Sequence, residues 1–294
     1  MDTEVEFEPR ARNVELPSRG GAMAVLDFGP QERPVDIVFS HANGFNARTY
    51  RSILAPLGER LRILALDLRG HGASTLPAVI EGRDGWSEFR DDLRALLAAA
   101  TEGPVVLAGH SMGATASLLA AAAEPGRAKA LVLFDPVLIH TPGRRSEDDP
   151  AVAESPLAQG ALRRRADFPD KRAALEAYRG RGAFRTWNDA QLADYVEAGF
   201  QVDGAGGVTL TCRPEWEASN FRSHNYDPWA AFRATRCPIR ILRAEVGSTA
   251  RLDDHLPELL GTGRIRVETV AGASHFLPME RPELVRQALR EAAA

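Results

Sequence analysis

Val105-Val106-Leu107-Ala108-Gly109-His110-Ser111-Met112-Gly113-Ala114 is the stretch on which the reading of this chain turns. Four apolar residues suit a buried strand, and the alanine-rich run from Ala114 to Ala123 suits a helix. Between them Gly109-His110-Ser111-Met112-Gly113 fits the pattern G-x-S-x-G. A sharp strand-to-helix turn lifts a serine hydroxyl above the edge of a sheet, where a base and a substrate can reach it. Such a turn is crowded, so small residues must flank it, and Gly109 and Gly113 do so. A helix N-terminus also favours negative charge developing nearby. Neither G-x-x-x-x-G-K-[ST] nor G-x-G-x-x-G is present here, so a phosphate cradle does not explain the glycines.

Strand and helix patterns alternate on both sides of this turn. A hairpin spans Arg12 to Phe28 around Gly20-Gly21, and strands follow at Val35–Ser40, Ile63–Asp67 and Ala130–Phe134. Helices are expected over Tyr50–Arg60 and Glu88–Ala100. The alternation resumes with strands at Pro238–Ala244 and Ile265–Val270, and helices at Leu252–Leu260 and Pro282–Ala292. Apolar strands interleaved with helices imply a parallel sheet covered on both faces. From about 137 to 226 the rhythm breaks into helical pieces near Leu157–Ala166, Lys171–Tyr178 and Ala190–Gly199, with no buried-strand run. A structureless loop of that length is rare in a compact domain. The stretch is therefore expected to be a helical cap inserted into a catalytic domain made of 1–136 and 227–294.

The bulk properties narrow the field. The chain has 294 residues, a net charge of −4 and no basic arm, which excludes an ordinary nucleic-acid binder. Cys212 and Cys237 are far apart and have no histidine at zinc-ligand spacing. They read as reduced thiols, and the expected compartment is the cytoplasm. The first residues lack a basic and an apolar region of a secretory signal, and no apolar run reaches membrane-spanning length. The bias toward Arg and Ala over Lys suggests a bacterium with a GC-rich genome. No metal or cofactor is expected, the partner is a small-molecule substrate, and the oligomeric state is left open.

His275 follows the last strand, at the sheet edge from which a base would reach Ser111. His41 and His71 precede the serine and His110 sits inside the turn, while His140, His224 and His255 read as surface residues. A tetrahedral intermediate needs preorganised donors for its oxyanion. The expected pair is the backbone N–H of Met112 and that of Asn43, in the loop Ser40-His41-Ala42-Asn43-Gly44-Phe45. Because the backbone would donate, the side chain at position 43 is expected to be free to vary. His41 reads as structural. Phe45, Trp187 and Trp216 are candidates for an apolar pocket wall, and Arg163-Arg164-Arg165 reads as a solvated helix face. Acids in the same insertion, including Glu147, Asp148, Asp149, Asp167 and Asp170, balance that triplet.

Taken together, His41-Ala42-Asn43-Gly44-Phe45, Asp67-Leu68-Arg69-Gly70-His71-Gly72, the turn around Ser111, and Gly272-Ala273-Ser274-His275-Phe276 resemble the α/β-hydrolase superfamily. The resemblance implies a mostly parallel eight-stranded sheet and acyl transfer through an acyl-enzyme. It also implies a mainly structural role for Asp67 to Gly72. One departure stands out. The family often carries its acid after the strand that here ends at Ala244, but Gly247 stands at that position. Some members place the acid before the cap instead, which points to Asp135, with Glu245 as the alternative. The resulting expectation is a serine esterase acting on a small or medium carboxylic ester. Thioesters, lactones and C–C bonds beside a ketone share the machinery. Epoxide and haloalkane chemistry would need a carboxylate where Ser111 stands. A slow-turnover receptor is the alternative of another class.

Overall fold

The computed structural model describes residues 8–83, 85–139 and 155–294. Its elements begin with β1 (Arg10–Leu16) and β2 (Gly21–Phe28), a hairpin closed by a 3₁₀ turn. There follow β3 (Ile37–Ser40), α1 (Arg51–Leu54), β4 (Ile63–Leu66), α2 (Ser87–Ala100), β5 (Val105–His110), α3 (Met112–Ala123) and β6 (Ala128–Phe134). Next come α4 (Pro156–Leu162), β7 (Asp167–Phe168), α5 (Lys171–Tyr178), α6 (Asp189–Gly199), β8 (Phe200–Val202), β9 (Val208–Leu210), α7 (Pro214–Arg222) and α8 (Pro228–Ala234). The chain finishes with β10 (Ile239–Val246), α9 (Leu256–Gly261), β11 (Ile265–Ser274), α10 (Leu277–Glu280) and α11 (Pro282–Ala293).

Eight strands form one sheet in the order β1-β2-β4-β3-β5-β6-β10-β11. Only β2 runs against the rest. This is the mostly parallel architecture expected from the sequence. Side chains of successive residues point to opposite faces of a strand, and here both faces are covered. In β5, Val105 and Leu107 join the core beneath α2, α3 and α8, while Val106 and Ala108 join the core beneath α1 and α11. That is why the strand is apolar from Val105 to Ala108.

Some local expectations give way. The helix foreseen over Tyr50–Arg60 shrinks to the single turn α1 between two 3₁₀ turns, because Pro56 has no N–H to continue it. Between β6 and β10 the described residues include a small antiparallel sheet, β7-β9-β8, beside the helices. Its strands are only two or three residues long. The helix α7 was also not foreseen. Among the described residues, no helix is long and apolar enough to cross a membrane.

The strand–helix turn is built as its glycines suggest. A Cβ on Gly109 would lie 2.6 Å from the carbonyl carbon of Gly113, and one on Gly113 would lie 2.3 Å from the Ser40 carbonyl oxygen. Both obstacles are backbone and cannot swing aside. Gly113→Ala is therefore expected to destabilise the fold by about 3 kcal/mol or more, the upper range for overpacking. A melting curve indistinguishable from wild type would contradict that packing.

Candidate active site

Parallel strands place their C-terminal ends along one edge, and the chemistry gathers there. Ser111 follows β5, Asp135 follows β6 and His275 follows β11. Ser111 has φ 55° and ψ −120°, and Asp135 has φ 41°; among the described residues these are the only non-glycine positions with positive φ. Strain of this kind persists only where surrounding structure enforces it.

The three side chains form a continuous hydrogen-bonded line. His275 Nδ1 lies 2.6 Å from Asp135 Oδ2, and His275 Nε2 lies 3.0 Å from Ser111 Oγ. A carboxylate can only accept, so Nδ1 carries the ring proton and Nε2 is left to accept from the serine hydroxyl. Asp135 is wholly buried. Its Oδ1 accepts from the Ala244 N–H at 2.8 Å and the Ser248 hydroxyl at 2.6 Å, and its Oδ2 accepts from the Thr249 N–H at 3.0 Å. Burial pushes this carboxyl pKa up, but the hydrogen bond and charge of His275, with Ser248 and Thr249, outweigh it and hold it below the ordinary value. The loop with glycine at the usual acid position thus supplies donors to an acid that lies elsewhere. Glu245, the alternative acid, does not reach His275. It is exposed, and its carboxylate accepts from the Gly272 N–H at 2.9 Å.

Among the described residues, the backbone N–H groups of Asn43 and Met112 have no acceptor. The side chain of Asn43 is not free to vary, contrary to expectation. Its Nδ2 donates to the Glu217 carbonyl at 3.0 Å, and its Oδ1 accepts from Asn220 Nδ2 at 2.8 Å. Both partners lie on α7, so the loop is fastened to the segment above it. The Tyr195 hydroxyl adds a bond to the Gly44 carbonyl at 3.3 Å.

The other histidines of this edge are braces. The Nε2–H of His110 donates to the His275 carbonyl at 2.7 Å, and its Nδ1 accepts from the Tyr50 hydroxyl at 2.7 Å. Tyr50 in turn accepts from the Ala42 N–H at 3.2 Å. A buried relay thus runs from the Asn43 loop through the serine turn to the histidine loop. Burial, reinforced by His275, drives the His110 pKa down to about 3. His41 accepts from the Leu68 N–H at 2.9 Å, and its structural reading fits this contact. Asp67 binds the N–H groups of Ala47 and Ala73, and burial raises its pKa to about 6.

A cavity of about 770 Å³ opens over Ser111 and His275, lined by Asn43, Phe45, Val137, Phe221, Phe276 and others. Phe45 is a wall residue as expected, but the two tryptophans are not. Trp216 is buried and does not line the cavity; its indole N–H donates to the Arg69 carbonyl at 3.0 Å. Trp187 stands behind Phe45, ring centroids 5.2 Å apart. His224, read as a surface residue, lines the cavity against Trp86, and burial lowers its pKa to about 4. His255 stacks on Trp229 at 3.8 Å. His140, Glu147, Asp148 and Asp149 lie outside the described residues. The arginine triplet is not a uniform solvated face: Arg163 and Arg165 are exposed, but Arg164 turns inward and lines the cavity.

Comparison with known proteins agrees with this fold. A 2-(acetamidomethylene)succinate hydrolase of Mesorhizobium japonicum is 28% identical over 263 residues, 86% of each chain. Lipase LipV of Mycobacterium tuberculosis is 34% identical over 134 residues, 45% of this chain and 48% of that one. The crystal structure of an E-2-(acetamidomethylene)succinate hydrolase superposes with a TM-score of 0.78 at 24% identity, covering 96% of this chain and 98% of the other. Residues 37–288 match the alpha/beta hydrolase family, and the chain belongs to it.

Proposed function

We propose that this protein is a serine hydrolase that opens a carbonyl compound through an acyl-enzyme, with a small or medium carboxylic ester as the simplest substrate. The observation that carries this reading is the line Asp135–His275–Ser111, ending beneath an apolar cavity and beside two backbone N–H groups without acceptors. Ser111 Oγ attacks the carbonyl carbon while His275 Nε2 takes its proton. The negative charge on the former carbonyl oxygen falls to the N–H groups of Asn43 and Met112. Asp135 holds the tautomer and stabilises the imidazolium. His275 then protonates the leaving group, and a water activated by the same ring frees the acid. Residues 137–226 act as the cap that shapes the acyl site.

A second reading concerns the bond that is cut. The name of the Mesorhizobium relative's substrate contains an acetamido group. An amide carbonyl is also an acyl centre, so hydrolysis beside nitrogen is the closest rival to ester cleavage. Thioester, lactone and C–C cleavage use the same residues.

The deciding experiment is labelling with a fluorophosphonate, read by intact mass, together with turnover of short 4-nitrophenyl esters and matched anilides. One adduct on the wild type and none on Ser111→Ala is expected. A wild type that takes no label would remove the hydrolase reading and bring forward a ligand-binding role.

A further inference from the structure

The cavity wall contains one charged pair that the proposed chemistry leaves unused. Arg164 Nη1 donates to Glu217 Oε2 at 2.7 Å, and its Nη2 donates to the Tyr195 hydroxyl. The two side chains are only 16% and 12% exposed, and both line the cavity that holds Ser111 and His275. Among its described lining residues, they are the only Arg, Lys, Asp or Glu. Glu217 Oε1 accepts no hydrogen bond among the described residues. A Cβ on Gly44 would lie 2.5 Å from that oxygen, so the carboxylate sits over the turn that follows Asn43. Asn43 and Glu217 both line the cavity, so a substrate whose oxyanion reaches the Asn43 N–H lies in a space that Glu217 borders.

A buried ion pair is a poor way to stabilise a fold. Apolar residues of the same volume usually do as well or better, because both charges must leave water. Here the pair interrupts a wall that is otherwise built from Val137, Ile139, Phe221 and Phe276. An arginine alone would receive a substrate carboxylate through its paired donors. Glu217 Oε2 and the Tyr195 hydroxyl already occupy those donors, and Glu217, a lining residue, keeps its other oxygen without a donor among the described residues. A second carboxylate arriving there meets like charge in a poorly solvated space, where repulsion is strong. A neutral N–H or O–H meets an acceptor with a free lone pair. On the hydrolase reading given above, on which this rests, we infer that the site selects acyl compounds whose acyl chain bears an uncharged hydrogen-bond donor, a carboxamide or hydroxyl. Glu217, neutralised by Arg164, is the residue that rejects carboxylates. The chain would then differ in substrate class from the relative named for a succinate.

The test compares 4-nitrophenyl esters of one six-carbon acyl chain ending in a carboxamide, a carboxylate or an isopropyl group. The wild type is expected to favour the carboxamide over the carboxylate by at least roughly tenfold in kcat/KM, the ratio that one well-placed interaction supplies. Glu217→Gln leaves Arg164 without an anion, and the carboxylate-to-carboxamide ratio is expected to rise by about tenfold or more. The ratio is read within one protein, so a partly unfolded variant does not distort it. The double variant Arg164→Gln with Glu217→Gln is expected to lose discrimination by charge. A pair that only ties the segment after α4 to α7 would lower activity on all three esters alike and leave the ratios untouched, which overturns the inference. So does a wild type that prefers the carboxylate, or one that takes the fluorophosphonate label yet turns over none of the three. Absence of label strikes the hydrolase reading instead, so the two failures are separable.

Discussion

Asp135→Asn is expected to lower kcat by about 10⁴-fold, the size found when a triad histidine is held in the wrong tautomer. The hydrogen bonds around the carboxylate show why no orientation of the amide rescues it. If the NH₂ faces His275, Nδ1 must accept, so Nε2 carries the ring proton and cannot take one from Ser111. If the NH₂ is turned the other way, it faces the donors Ala244 N–H and Ser248 hydroxyl, and two donors meet. The protein is expected to stay folded, with near-ultraviolet circular dichroism like that of the wild type. Glu245→Gln is the internal comparison. Its carboxylate bonds a backbone N–H at an exposed strand end, so turnover is expected to stay within about twofold. Stopped-flow or steady-state hydrolysis of one activated ester checks both. A collapse with Glu245→Gln, or more than a tenth of the wild-type kcat in Asp135→Asn, would reverse the assignment of the acid.

Acidification is expected to unfold the protein steeply as the pH falls from about 6.5 toward 4. Burial is the leading cause at four histidines. It lowers His71 and His224 to about 4, His110 to about 3, and His41 well below its ordinary value. In the unfolded chain each takes a proton near pH 6.5. Below that pH the unfolded state binds protons that the folded state refuses, so stability is complete above 6.5 and is lost as the pH falls. Each histidine contributes a slope of about 1.4 kcal/mol per pH unit. Asp67 acts the other way. Burial raises it to about 6, so between about 6 and 3.8 the folded state holds a proton the unfolded state lacks. It offsets roughly one histidine, which leaves a net slope near that of three. Urea midpoints at pH 7.5, 6.0 and 5.0 measure this directly. Equal midpoints at the three values would mean that these rings are accessible to protons in the native state.

The central sheet was legible because burial on both faces writes itself into every residue of a strand such as β5. Ser111 and its flanking glycines were legible because backbone geometry at that turn tolerates few residue types. The small sheet β7-β9-β8 was not, since two- and three-residue strands are too short to show a period. The helix α7 begins at Pro214 after a break, and its buried face is set by partners distant in sequence. Trp216 was misplaced for a related reason. An indole is both apolar and a donor, and here the donor end decided: its N–H needed the Arg69 carbonyl, which lies away from the cavity. Arg164 differs from its two neighbours only in the direction it faces, which a triplet cannot reveal. The hold of α7 on Asn43 left no trace at all, because it joins positions more than 170 residues apart.

That last contact limits how the molecule could be rebuilt. Exchanging the segment above the sheet for that of a homologue is a common way to move specificity between enzymes. In this chain the Asn43 loop is aligned by a carbonyl and an amide that belong to the exchanged part. A chimera that keeps Asn43 but imports a helix without counterparts to Glu217 and Asn220 would carry all three residues of the Ser111 line and a misaligned Asn43 loop. Grafts should therefore be chosen by whether they complete that loop before they are chosen by the shape of their pocket.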